Sequence, residues 1–194
     1  MSDIILTPGS TTLLDLEGLR SQGHRFRLDR AAKPAVDAAA ALVAQAANGG
    51  EAVYGVNTGF GKLATVRIAP EDTSTLQRNL IRSHCAGVGT PTETQVVRAM
   101  MILKLLSLGR GASGVRWEVI ELIEAMLRAR VTPIVPSQGS VGASGDLAPL
   151  AHMAAVLIGE GQAEYRSAER RVGKACGARW MRQQCRQNEK GATS

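Results

Sequence analysis

Aromatic residues are scarce in this chain: two Trp, two Tyr and two Phe make up 3% of its 194 residues. Because 44% of the residues are hydrophobic, the core must rest on Ala, Leu, Val, Ile and Met, a composition that favours helices. No apolar run reaches the roughly 18 residues of a membrane span, and the richest stretch, 99–108, is broken by Lys104. Residues 1–10 lack the basic segment and apolar stretch of a signal peptide. These absences predict a cytoplasmic, mainly α protein without a membrane partner.

Cysteine is also scarce, and net positive charge is absent from most of the chain. Cys85, Cys176 and Cys185 match neither a disulfide framework nor a metal-binding pattern, so we expect no metal. The net charge of +6 would suggest a nucleic-acid partner. Residues 1–165, however, hold 15 basic and 15 acidic residues, whereas residues 166–194 hold 8 and 2. We therefore expect no nucleic-acid partner.

The helical patterning stops near residue 165, which divides the chain into two predicted regions. Residues 1–165 form the folded region. Residues 166–194 are rich in Arg and Gln, lack apolar periodicity and resemble a translated vector sequence. We predict that they form a disordered, non-native tail.

Periodicity and capping residues predict five helices in the folded region. They cover residues 33–48, 70–83, the stretch from a capping box at 90–93 to Gly109, residues 113–130, and a last helix after residue 146. Asp29, Ser113 and Asp146 are the predicted caps. Short extended segments are predicted at residues 4–6 and 26–28, and prolines 133 and 136 predict an extended link.

The glycine-rich segment before the last helix contains small residues in an order that permits an unusual reaction. Gly145 leaves its amide nitrogen unhindered, so a sharply bent backbone can bring it onto the carbonyl carbon of Ala143. Ring closure and loss of water from Ser144 would give a 4-methylidene-imidazol-5-one, an electrophile placed at a helix N-terminus. Taken alone, these residues are more often a glycine-rich turn leading into an Asp-capped helix.

The wider sequence resembles the aromatic amino-acid ammonia-lyases, and within that family it looks most like the histidine ammonia-lyases. The similar segments are YGVNTGFG at residues 54–61, LQRNL at 76–80, SHCAG at 83–87, SLGRG at 107–111 and GSVGASGDLAPLAH at 139–152. The resemblance covers roughly residues 4–165, and the last segment is the most specific. It implies the N-terminal part of an aspartase/fumarase-like helical fold.

The resemblance also implies roles for individual residues. Ala143, Ser144 and Gly145 become the methylidene-imidazolone, formed autocatalytically without metal or pyridoxal phosphate. Tyr54 matches the general base, and His84 matches the residue that faces the substrate ring. The supporting residues are Asn57, Gly61 and Asp146; the first two hold the Tyr54 loop, and Asp146 shapes the turn. His152 is predicted to be structural.

The implied reaction is elimination of ammonia from L-histidine to give trans-urocanate, the first step of histidine degradation, in a homotetramer. Tyrosine-preferring relatives can also carry histidine at the position of His84, so a tyrosine or phenylalanine ammonia-lyase or aminomutase stays open. Family members are considerably longer. We therefore expect this chain alone to be an inactive fragment, acting at most as a helical domain.

Two enzyme or binding classes are disfavoured by spacing. A phosphate loop ending at Lys62 would need glycine at Val56 and Ser or Thr at Leu63. A serine hydrolase using Ser144 would need the Gly-x-Ser-x-Gly elbow after a strand, whereas only one residue separates Gly142 from Ser144 and Gly145 follows directly.

Overall fold

The computed structural model describes residues 3–17, 25–142 and 145–165 and the backbone of 171–172. In these ranges the helices are α1 Leu13–Glu17, α2 Lys33–Asn48, α3 Pro70–His84, α4 Thr94–Leu108, α5 Trp117–Ala129 and α6 Leu147–Leu157. Two 3-10 turns lie at Arg30–Ala32 and Gly61–Leu63. The strands are β1 Asp3–Leu6, β2 Arg25–Leu28, β3 Val88–Pro91, β4 Val131–Pro133, β5 Pro136–Gln138, β6 Ala163–Tyr165 and β7 Arg171–Val172. The predicted mainly α fold is confirmed.

The strands form three small sheets between the helices. β1 and β2 pair in parallel, with Leu6 opposite Leu28, which confirms the two predicted extended segments. β3 pairs antiparallel with β5. β4, β6 and β7 form an antiparallel sheet in this order. Of the predicted tail, 166–194, only β7 lies within the described residues, so the prediction of disorder stays a prediction.

The core lies between α4, α5 and the first sheet. Its fully buried side chains include Met101 and Leu105 of α4, Ile120 and Ile123 of α5, and Leu28 of β2. They are aliphatic or sulfur-containing, as the scarcity of aromatics predicts. Helix α4 is not buried all round, because Val96 and Leu103 are about half exposed.

A buried carboxylate fastens strand β2 to helix α5. The side chain of Glu124 is 1% exposed, and its Oε1 accepts from the backbone N–H of Leu28 at 2.8 Å. The guanidinium of Arg30 donates to both carboxylate oxygens at 3.1 and 2.7 Å. Arg30 also lies over the ring of Trp117 at 5.1 Å, an arrangement typical of cation–π contact. A charge inside this core is therefore paired and hydrogen-bonded.

Two predicted helix starts are wrong. The capping box at 90–93 does not form, because Val88–Pro91 is strand β3 and the N–H of Thr92 donates to the carbonyl of Val135 at 2.8 Å. Helix α4 begins later, at Thr94, after Glu93. Ser113 is not a cap either, since α5 begins at Trp117.

Asp29 does cap a helical segment, but a shorter one than predicted. Its carboxylate accepts from the N–H of Ala31 at 2.9 Å, which caps the 3-10 turn that precedes α2. Helix α2 itself covers the predicted residues 33–48.

Candidate active site

The loop that carries Tyr54 is held by one buried side chain. Asn57 is 1% exposed. Its Oδ1 accepts from the N–H of Val53 at 2.7 Å, and its Nδ2 donates to the carbonyls of Glu51 at 2.9 Å and Ala46 at 3.2 Å. Asn57 therefore ties both ends of the loop to the end of α2, and all of these bonds go to the backbone.

Backbone conformation in the same loop requires glycine at particular positions. Gly55 and Gly61 have φ of +78° and +59°, a region that L side chains rarely adopt. At Gly59 the constraint is space, because a Cβ there would lie 2.5 Å from the Cβ of Leu63. Gly61 thus supports the loop through its conformation. The Tyr54 ring projects from this loop, 64% exposed, and meets Phe60 edge-on at 5.7 Å.

His84 is the last residue of α3, and its ring orientation is fixed by that helix. Nδ1 lies 2.8 Å from the carbonyl oxygen of Leu80 and 3.2 Å from Oγ of Ser83. The Ser83 hydroxyl itself donates to the Leu80 carbonyl at 3.0 Å. Because a carbonyl oxygen only accepts, Nδ1 carries the proton in this arrangement. The neutral ring therefore offers Nε2 as a hydrogen-bond acceptor.

Tyr54 and His84 line one cavity of about 570 Å³. Its wall also includes Phe60, Leu80, Ile81, Lys104, Leu108, Val115, Val119, Ile123, Leu147, Leu150, Ala151, Met153, Ala154 and Leu157. The wall is predominantly apolar, with few polar groups, which is typical of sites for small molecules. The structure thus brings together two of the residues predicted from the sequence.

The third predicted component, the Ala-Ser-Gly triad, is described only at its edges. Ala143 and Ser144 lie outside the described residues. Gly142 before them has φ of +66°, and a Cβ there would meet nothing within 4 Å. At Gly145 a Cβ would meet only the side chain of Leu147, at 3.9 Å. This bent and uncrowded frame fits a ring built from the triad, and helix α6, which follows it, lines the cavity.

Asp146 does not cap α6 with its side chain, contrary to prediction. It occupies the position before the helix but makes no capping hydrogen bond. Its carboxylate instead accepts from the hydroxyl of Ser140, on the other side of the triad. Asp146 therefore links the two flanks of the triad, and its role in shaping the turn stays a prediction.

Sequence reasoning missed a tight junction behind the site. His152, on α6, accepts at Nε2 from the N–H of Gly87 at 3.1 Å. Burial lowers the pKa of His152, which favours the neutral ring that this bond needs. Gly87 also lies against Gly139, where a Cβ would fall 3.2 Å from the Cα of Gly87. The SHCAG and GSVGASGDLAPLAH segments contain these residues, but nothing in the sequence pairs Gly87 with His152, because they lie 65 positions apart.

No metal site and no membrane helix emerge in the described ranges. No cluster of three His, Cys, Asp or Glu side chains in this part of the chain could hold a metal ion. None of its helices is long and apolar enough to cross a membrane.

The sequence of the chain is similar to that of a known enzyme family. The family model described as aromatic amino acid lyase matches residues 11–186. The chain belongs to the aromatic amino acid lyase family. A histidine ammonia-lyase from Roseobacter denitrificans is 58% identical to the chain over 172 residues, which are 89% of the chain and 34% of the relative. This aromatic amino acid lyase chain therefore spans about a third of the length of that relative.

Solved structures agree with this family membership. The histidine ammonia-lyase of Trypanosoma cruzi is similar with a TM-score of 0.82 and 32% identity, over 93% of the chain and 34% of that protein. The ergothionase of Treponema denticola gives a TM-score of 0.84 at 25% identity, over 93% of the chain and 36% of that enzyme. The phenylalanine aminomutase of Pantoea agglomerans shares the fold, with a TM-score of 0.80 at 24% identity over 91% of the chain and 34% of that enzyme.

Proposed function

We propose that the chain is part of a histidine ammonia-lyase, which eliminates ammonia from L-histidine to give trans-urocanate and so opens histidine degradation. The observation that carries this proposal is that Tyr54 and His84 line one apolar cavity with the helix that follows the triad. The 58% identity to a histidine ammonia-lyase supports the choice of substrate.

The elimination needs an electrophile that captures the substrate, at its amino group or at its ring, because the proton on the β-carbon is only weakly acidic. Ala143, Ser144 and Gly145 would supply it as the methylidene-imidazolone, an electrophile made from the chain itself, with neither a metal nor pyridoxal phosphate. Tyr54 is the proposed general base for the proton on the β-carbon. Its ring is exposed on the cavity wall rather than packed in the core, so its phenol oxygen is accessible to a substrate.

His84 provides the proposed discrimination between substrate rings. Because Nδ1 donates to the Leu80 carbonyl, Nε2 is the atom available to a ligand, and it accepts. The imidazole of L-histidine can donate an N–H to it, and the phenol of L-tyrosine can donate an O–H. The ring of L-phenylalanine has no donor, so it would leave a polar nitrogen unpaired in an apolar wall.

The remaining parts of the proposal concern the whole protein. We propose a cytoplasmic homotetramer whose active site is completed by residues outside this chain and by neighbouring subunits. The division of the chain at residue 165 stays a prediction, and so does the inactivity of the 194-residue chain alone.

The test uses the full-length protein that contains this sequence. We expect urocanate from L-histidine at a kcat/KM about 100-fold or more above that for L-phenylalanine, because L-phenylalanine forfeits a hydrogen bond to His84 on an apolar cavity wall. Replacing His84 with Leu should lower kcat/KM for L-histidine and reduce the preference for L-histidine over L-phenylalanine. Preferred turnover of L-tyrosine or L-phenylalanine, or formation of a β-amino acid, would instead identify a tyrosine or phenylalanine ammonia-lyase or an aminomutase.

A further inference from the structure

We propose that His152 is a positioning residue, which fixes the segment carrying His84 against the segment carrying the Ala-Ser-Gly triad. This inference rests on the proposed function, because it concerns the alignment of the ring-binding and electrophilic halves of the same site. His152 itself is not among the residues that line the cavity. It acts through the backbone of Gly87.

The first step of the argument is the hydrogen bond. Nε2 of His152 accepts from the N–H of Gly87 at 3.1 Å, so the neutral ring carries its proton on Nδ1. Gly87 lies three residues after His84, just beyond the end of α3. His152 lies on α6, the helix that begins two residues after the triad. The bond therefore joins the two halves of the site directly.

The second step is the absence of space around that bond. A Cβ on Gly87 would lie 3.0 Å from Nε2 of His152 and 3.3 Å from the carbonyl oxygen of Gln138. A Cβ on Gly139 would lie 3.2 Å from the Cα of Gly87 and 3.1 Å from the Cβ of Ala148. Gly87 and Gly139 thus lie backbone against backbone beside side chains of α6. The pairing of β3 with β5 continues this contact at Val88 and Gln138, and the His152 bond is what ties Gly87 to α6.

The third step is that the contact between Gly87, Gly139 and His152 restricts movement of the His84 segment relative to the triad segment. The triad is four residues after Gly139 along the chain, and Ser140 is further tied to Asp146 through its hydroxyl. A shift of Gly87 relative to α6 would therefore move His84 relative to the triad. Displacements of about 1 Å can reduce turnover by roughly a hundredfold.

The test compares two substitutions of His152 in the full-length enzyme. His152→Gln keeps an acceptor, since the amide oxygen can receive the Gly87 N–H, whereas His152→Leu retains an apolar body and removes the acceptor. Gly50→Ala is the matched control, because a Cβ at Gly50 meets nothing within 4 Å. Two readouts are needed: amide hydrogen exchange at Gly87, and kcat/KM for L-histidine per dehydrated triad, counted by intact mass.

For His152→Leu we expect exchange at Gly87 to accelerate by about tenfold or more and kcat/KM per dehydrated triad to fall by about tenfold or more. His152→Gln should stay within about threefold of wild type in both readouts, since it preserves the bond. Gly50→Ala should change neither.

Three outcomes would overturn the proposal. One is unchanged exchange at Gly87 in His152→Leu, and another is equal effects of the Leu and Gln variants. The third is a lower yield of folded enzyme with unchanged kcat/KM per dehydrated triad, which is what a merely structural role gives. If the wild type turned over L-tyrosine instead of L-histidine, the proposed substrate would be wrong, while Gly87 exchange would still decide the role of His152.

Discussion

Replacing Asn57 with alanine should strongly destabilise the fold, because its side chain holds the Tyr54 loop. Asn57 is 1% exposed and makes three hydrogen bonds with backbone groups, at 2.7, 2.9 and 3.2 Å. Alanine would leave the N–H of Val53 and the carbonyls of Glu51 and Ala46 without these partners. At about 1 kcal/mol for each bond, the free energy of unfolding should fall by about 3 kcal/mol.

The matched control is Asn48→Ala. Asn48 is exposed at the end of α2, and its side chain makes one hydrogen bond, with the carbonyl of Ala44 at 2.9 Å. Alanine there has a better helix propensity, which offsets the lost bond, so the change should stay within about 0.5 kcal/mol. Comparing the two variants therefore separates the effect of losing an exposed amide side chain from the effect of losing three buried hydrogen bonds.

Urea unfolding followed by circular dichroism measures both variants, with the slope m compared to confirm that the transitions are equivalent. The expected loss for Asn57→Ala corresponds to a Tm lower by about 6–12 °C for a domain of this size. If Asn57→Ala unfolded within about 1 kcal/mol of wild type, the loop would not depend on these bonds and the reasoning would be refuted.

Three further predictions follow from the same structure. Glu124→Gln should lower the free energy of unfolding by about 2–3 kcal/mol in urea unfolding, because it removes the buried charge that pairs with the 40% exposed side chain of Arg30. An unchanged free energy of unfolding would show that the ion pair between Glu124 and Arg30 does not stabilise the fold. Gly59→Ala should cost about 1–3 kcal/mol by the same measurement, since its Cβ would lie 2.5 Å from that of Leu63, and an unchanged Tm would contradict the tight approach. Burial lowers the pKa of His152 from 6.5, so the unfolded chain binds more protons there, and stability should fall as the pH drops below 6.5. In thermal melts at each pH, the Tm of His152→Gln should fall less than that of wild type as the pH drops below 6.5. If the Tm of both proteins fell equally with pH, His152 would not be the source of this pH dependence.

The sequence alone predicted elements where local signals agree. Helix α2 covers the predicted residues 33–48, and α3 begins at Pro70 as predicted. Each has a proline in its first turn, Pro34 in α2 and Pro70 in α3, and the fixed φ of proline suits that position. The Tyr54 loop was also predictable, since glycines clustered without helical periodicity indicate an unusual backbone.

The errors arose where a partner outside the local motif competes with a local signal. The capping box at 90–93 looked valid, but Val88–Pro91 pairs with β5, a partner that local patterning does not reveal. The carboxylate of Asp146 bonds to Ser140 across the triad instead of capping α6. The first case is a tertiary contact that overrides a local propensity, and the second is a hydrogen bond between residues six positions apart, across the triad.

The same reason explains what the sequence left out of the candidate site. Tyr54 and His84 were found because each lies in a recognisable segment. The bond between His152 and Gly87 joins residues 65 positions apart, and Glu124 meets Leu28 across 96 positions. Neither partner carries a local signal for the other, so only the fold identifies them.

The most direct test of the central claim is the intact mass of the full-length protein, purified under native conditions, beside its Ser144→Ala variant. Cyclisation of Ala143, Ser144 and Gly145 should lower the wild-type mass by two waters, about 36 Da, with the loss mapped to a peptide containing the triad. The variant has no hydroxyl to lose and should not show this full loss. An unmodified wild-type triad in a protein that still turned over L-histidine would contradict the account.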